Sequence, residues 1–236
     1  CYRIPASFSS VSFGRVLAQL TSLWLCGCER FVLHKVVLVG FARGLPNLQS
    51  LTLDKFRLLA ADMEMINNLT LLTSLCLRRC RFSFSMNGCL TKCSRLRHLS
   101  LTYLVDNPNL ELELVNHSTF PELTSLAFEF GQISSCQNWT HIANLTKLEN
   151  LSLYCQKCFS LGPDKISQLE NLRNLRSLSF SGVEASAVQN LPMHLEEWKE
   201  LECLTLSDSD RNSDMAQMVK QIKKLFPYLK VSKQFS

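Results

Sequence analysis

Residues 69–80 read Leu69-Thr70-Leu71-Leu72-Thr73-Ser74-Leu75-Cys76-Leu77-Arg78-Arg79-Cys80, and their spacing decides the fold. Leu69, Leu72 and Leu75 sit at every third position, and Leu77 follows Leu75 after a single residue. The short step has the period of a β-strand, whose alternate side chains point to one face. The wider steps suit a turn or a helix end. Two earlier copies read Leu17, Leu20, Leu23, Leu25 with Cys28, and Leu45, Leu48, Leu51, Leu53 with Phe56. Later copies are Cys93, Leu96, Leu99, Leu101; Phe120, Leu123, Leu126, Phe128; and Leu145, Leu148, Leu151, Leu153. Then come Leu172, Leu175, Leu178, Phe180; Trp198, Leu201, Leu204, Leu206; and a degenerate Phe226, Leu229, Val231. The third apolar position recurs after 28, 24, 24, 27, 25, 27, 26 and 25 residues, a period that marks a stacked repeat array.

A single such unit cannot bury its own apolar side. Stacked in register, the units share a continuous core and are stabilised by their neighbours. The expected fold is therefore α/β: a curved solenoid with a parallel inner sheet and helices or 3-10 turns returning along the outside. The segment from Asp214 to Phe226 illustrates the return. Met215, Met218, Val219, Ile222 and Phe226 recur at helical spacing. Asp214 followed by Gln217 resembles an N-terminal capping pair, and Pro227 stands where the helix should have stopped.

We expect one elongated domain, with residues 1–16 as an N-terminal flank and residues 17–236 as a repeat domain of about nine copies. The most apolar stretch, Phe31 to Phe41, is too short to span a bilayer and contains His34 and Lys35. No charged, apolar, small-residue leader is visible at the start. The chain begins at Cys1 rather than Met, which fits a piece of a longer protein and leaves room for an adaptor domain upstream of Cys1. The formal net charge of +5 is too diffuse to indicate a nucleic-acid partner. The densest basic cluster, Lys220, Lys223, Lys224, Lys230 and Lys233, lacks interleaved aromatics and reads as a solvated helix face.

Eleven cysteines, an odd number, are scattered along the chain, and Cys28, Cys80 and Cys93 fall on core or near-core repeat positions. A buried free cysteine behaves as a small apolar residue. With no clustered disulfide caps, this usage points to a reducing, intracellular compartment. Five Asn-x-Ser/Thr sequons, at Asn68, Asn116, Asn138, Asn144 and Asn150, point outward to the secretory route, and the cysteines are weighed above them.

Catalytic patterns are missing from the sequence. Cys155 and Cys158 form a Cys-x-x-Cys pair, yet the nearest second pair, Cys89 and Cys93, lies more than two repeats away. The five histidines are far apart in sequence. No nucleophile elbow, phosphate loop or dinucleotide fingerprint occurs, and eight glycines are few for cradling phosphate. We expect no enzyme, metal or cofactor.

The strand register places three columns of side chains on the inner, concave face. The first is mostly Ser, running from Ser22 through Ser74 and His98 to Cys203 and Tyr228. Small side chains there let the strands curve inward. The exceptions are Trp24 in the second column, Asp54, Arg78, Glu129 and Tyr154 in the third, and His98 in the first. Tyr, Trp and Arg are common binding hot spots. A protein or peptide ligand is expected across these strands, with Arg78, His98, Glu129 and Tyr154 near the middle.

The repeats resemble the leucine-rich repeat superfamily from about Leu17 onward. Copies ending in Cys28 and Cys80, as in LTSLWLCGC and LTSLCLRRC, look like the cysteine-ended variety of F-box proteins. That resemblance implies the substrate-recognition part of a ubiquitin ligase receptor. No F-box segment is recognisable, and most copies lack the terminal Cys. Phrases such as LPNLQSLTL, LTKLENLSL and LRNLRSLSF equally resemble the sensor repeats of intracellular nucleotide-binding immune receptors, which implies ligand sensing. An extracellular or cell-surface repeat receptor is the third reading.

Overall fold

Every closing Leu-x-Leu step of the repeat copies within the described residues lies in a strand. The computed structural model describes residues 18–27, 45–82, 84, 86, 88–102, 118–130, 139–159, 163–183, 189–208 and 213–235. The chain gathers into two compact units, residues 1–114 with 118–122, and residues 115–117 with 123–236.

In the first unit, β1 (Ser22–Cys26), β2 (Ser50–Asp54), β4 (Ser74–Arg78) and β6 (His98–Thr102) pair as parallel strands. Their register aligns Leu23, Leu51, Leu75 and Leu99 in one row, and Leu25, Leu53, Leu77 and Leu101 in the next. Leu51, Leu53, Leu75, Leu77, Leu99 and Leu101 are all at most 2% exposed, so these rows are the core. Where each repeat enters its strand, one backbone carbonyl accepts two N–H groups from the next. Thr21 O takes Gln49 and Ser50, Gln49 O takes Thr73 and Ser74, and Thr73 O takes Arg97 and His98. These backbone bonds lock the stack, and the Thr73 hydroxyl donates a further bond to Gln49 O at 3.1 Å.

After the strands the chain turns. Gly27 N–H donates to Asp54 O, Lys55 N–H to Arg78 O, and Arg79 N–H to Thr102 O. A Cβ at Gly27 would lie 2.8 Å from Lys55 O and 2.9 Å from the Phe56 ring, so only glycine fits there. A short second ladder follows, β3 (Arg57–Leu58) against β5 (Arg81–Phe82). Helix α1 (Ala60–Asn67) then returns toward the next repeat, burying Met63 and Ile66. Buried Asp62 accepts the Leu59 N–H and ties off its first turn.

In the second unit, β7 (Ser125–Phe130), β8 (Asn150–Phe159), β9 (Ser177–Val183), β10 (Cys203–Asp208) and β11 (Lys230–Phe235) pair in parallel in that order. The returns are α2 (Thr140–Ala143), α3 (Pro163–Gln168) and α4 (Leu191–His194), with 3-10 turns at Leu169–Asn171 and Leu195–Glu197. Trp198, fully buried, donates its ring N–H to Leu169 O at 3.1 Å, a side-chain bond between repeats.

The last return is α5 (Ser213–Leu225), the helix expected from the spacing of its apolar residues. Met215, Met218, Val219, Ile222 and Phe226 are all buried. The helix starts at Ser213, so Asp214 lies inside its first turn instead of capping it. One register differs from the sequence reading. Cys203 pairs with Lys230 rather than Tyr228, and Leu204 with Val231. The step from Leu229 to Val231 is one residue shorter than its counterpart from Leu201 to Leu204, and counting alone does not reveal where the shortening falls. Tyr228 instead lies before the strand, 65% exposed. Among the described residues, no helix is long and apolar enough to cross a membrane.

Candidate functional site

The strand face opposite the core carries the residues singled out from the sequence, and the structure treats them unequally. In the first unit, the middle column holds Trp24, Thr52, Cys76 and Ser100 in register. Trp24 is 71% exposed. So large an apolar surface among small neighbours is the composition of a contact residue. His98, next to Ser74 on the neighbouring strand, is exposed as well. Arg78 keeps half of its side chain in water.

Asp54 departs from the expectation of an open-face contact: it is 5% exposed. It is the last residue of β2 and the register partner of Arg78. Its carboxylate accepts Arg79 Nε at 2.8 Å and the Arg79 terminal nitrogen at 2.5 Å, with Arg78 Nε at 4.0 Å. The Arg79 bonds, foremost, hold its carboxyl below the usual carboxylate range against the opposing effect of burial, aided by the charges of Arg79, Arg78 and Lys55. Asp54 therefore fastens two turns together and offers little to a partner. Arg79 reaches it from a left-handed backbone, φ 53°, and Lys55 has the same conformation, φ 61°.

In the second unit, Glu129 and Tyr154 are register partners on β7 and β8. Glu129 departs in the same way as Asp54: it is 5% exposed, while Tyr154 is half-buried. Some third-column residues are therefore covered more than strand alternation implies, while Arg78 and Cys26 stay exposed. Thr102 and Ser207 occupy comparable strand-end positions and are 6% and 2% exposed.

Cys80 and Cys93 are core residues, as expected. Cys80 donates its thiol to Leu53 O at 3.4 Å, and Cys93 to Ile66 O at 3.8 Å. Burial pushes both thiols up to about 11. Cys28 lies outside the described residues. Cys155 and Cys158 fall within β8. Among the described residues, no group of three or more His, Cys, Asp and Glu could hold a metal ion.

The sequence reading passed over one cluster. Lys55 and Arg79 fall in the turns after β2 and β4, Arg57 and Arg81 open β3 and β5, and Arg78 ends β4. The signal was available. Lys55 to Arg79 and Arg57 to Arg81 are both one repeat apart, and residues one repeat apart stack.

The fold is of the leucine-rich repeat type, α/β, with parallel strands and short helical returns. No protein-family model matches the chain, and no curated protein does. Among solved structures, it is similar to TLR13 in the TLR13–ssRNA13 complex, at 15% identity over 94% of this chain, with a TM-score of 0.55. The chain spans about a third (34%) of that protein's length. It is also similar to an internalin (inlF) from Listeria monocytogenes str. 4b F2365, at 16% identity over 94% of this chain and 84% of that one, with a TM-score of 0.41.

Proposed function

We propose that this chain is a non-catalytic recognition module for a protein partner, working inside the cell as the substrate-recognition part of an F-box-type ubiquitin ligase receptor. The observation that carries the recognition reading is the exposed set on the strand face of the first unit: Trp24, Arg78 and His98 stand out from a background of Ser, Thr and Cys. Tyr154 is the matching residue in the second unit. Buried Cys80, closing its repeat with a thiol bond to Leu53 O, supports the cysteine-ended F-box reading. Core thiols at Cys80 and Cys93 support a reducing compartment. Uneven repeat lengths, from 24 to 28 residues, favour the alternative of a sensor array in an intracellular nucleotide-binding immune receptor. Asn68 and Asn144 are exposed at helix ends, which favours the third reading of a cell-surface or secreted receptor.

Crosslinking in cells tests recognition. Proteins captured by the wild-type chain should be lost from the Trp24→Ala/His98→Ala/Tyr154→Ala variant at an unchanged thermal midpoint. Retention of the same proteins would remove the strand face from the reading. Captured proteins that accumulate under proteasome inhibition support the ligase role, and unchanged levels count against it. Glycan on Asn68 or Asn144 would place the chain outside the reducing compartment.

A further inference from the structure

Two stacked segments carry five cations, and three of them, Arg79, Arg78 and Lys55, act on one carboxylate, Asp54. The passage from the end of β2 into β3 reads Asp54-Lys55-Phe56-Arg57, and that from the end of β4 into β5 reads Arg78-Arg79-Cys80-Arg81. They lie directly against each other. Lys55 N–H donates to Arg78 O at 2.9 Å and Arg81 N–H to Phe56 O at 2.8 Å, while Arg57 is the register partner of Arg81. Neighbouring strands are about 4.8 Å apart, so the cations share a small footprint.

Like charges facing each other across a ladder are destabilising. Lys55 and Arg79 also hold the left-handed backbone that side-chain-bearing residues disfavour.

The chemistry of the ligand is visible inside the cluster. Arg79 already grips a carboxylate with two parallel bonds, the fork geometry that suits guanidinium to carboxylate. Phe56 is buried, so neither turn presents a ring on which a nucleobase could stack. We infer that these stacked turns bind an acidic segment of a protein partner, a run of Asp or Glu whose carboxylates meet the guanidinium groups as Asp54 does. The inference rests on the protein-recognition reading and adds the partner's chemistry.

The test uses the purified 236-residue chain and a fluorescein-labelled deca-glutamate peptide, followed by anisotropy, with deca-glutamine as the uncharged control. Wild type should bind deca-glutamate in a salt-sensitive manner and ignore deca-glutamine. Arg57→Glu/Arg81→Glu should weaken binding about tenfold or more, and exposed Arg57→Gln alone, which disturbs folding least, about threefold. Lys220→Glu/Lys223→Glu, on the basic face of α5, should stay within about twofold. The inference is overturned if wild type does not bind deca-glutamate, if the α5 variant loses as much as the turn variant, or if oligouridine displaces the peptide more tightly than deca-glutamate does. Such a failure, with crosslinked partners still sensitive to the Trp24, His98 and Tyr154 substitutions, would remove the acidic segment and leave protein recognition standing.

Discussion

Asp54→Asn, Arg79→Met and the double variant together measure what fastens the turn after β2 to the turn after β4. The Asp54 side chain is 6% exposed and the Arg79 side chain 38% exposed, joined by two hydrogen bonds. A wholly exposed ion pair contributes about 0–1 kcal/mol. Breaking a wholly buried one costs about 3–5 kcal/mol. This pair has one hidden partner and one partly wet partner, so screening discounts it toward the lower range. We expect a coupling energy of about 1–2 kcal/mol near neutral pH. Its pH dependence has a definite sign. Arg79 lowers the folded Asp54 value, so the unfolded chain binds that proton more readily. The stabilisation is present above the unfolded carboxylate value of about 3.9 and is lost as pH falls through the lower folded value. Urea unfolding followed by circular dichroism, stepped from about pH 7 to about pH 3, reads both quantities. The Asp54→Asn penalty should shrink on acidification. A coupling energy below about 0.3 kcal/mol, or a penalty that stays constant across that range, would refute the reasoning.

Two further outcomes follow from the core. Leu75→Ala removes a side chain that is 1% exposed, between the rungs of Leu51 and Leu99, and should cost about 2–5 kcal/mol in the same unfolding assay. A cost under about 1 kcal/mol would mean that the rungs are not close-packed. Iodoacetamide should alkylate exposed Cys26 in the native protein. It should reach Cys80 and Cys93, whose thiols burial pushes up to about 11, only on unfolding. Comparable rates at all three, read by mass spectrometry, would contradict their burial.

Much of the architecture was legible because the leucine period is a local quantity. The step from Leu75 to Leu77 states a strand, and the intervals between copies state that strands stack. The helix at Ser213–Leu225 was legible for the same reason, since its buried residues recur within one continuous segment. The final register was not, because the short Leu229–Val231 step hides which residue enters the strand.

Side-chain exposure at strand ends was beyond the sequence. Strand alternation placed Asp54 and Glu129 in the open, and the structure buries both. Alternation describes one strand, whereas exposure there depends on what folds over the strand's end. For Asp54, that is an arginine from the following repeat, reaching back from a left-handed turn.

Leucine spacing by itself determined the stacking of parallel strands, the identity of the core rungs and the helical nature of the last return, because each is written in residues close together in sequence. Only the tertiary structure decided that Asp54 is a fastener rather than a contact, held by an arginine of the following repeat. Charges separated by a whole repeat become neighbours only when the repeats stack, and the Coulomb interaction depends on that distance in space and on the water left between them.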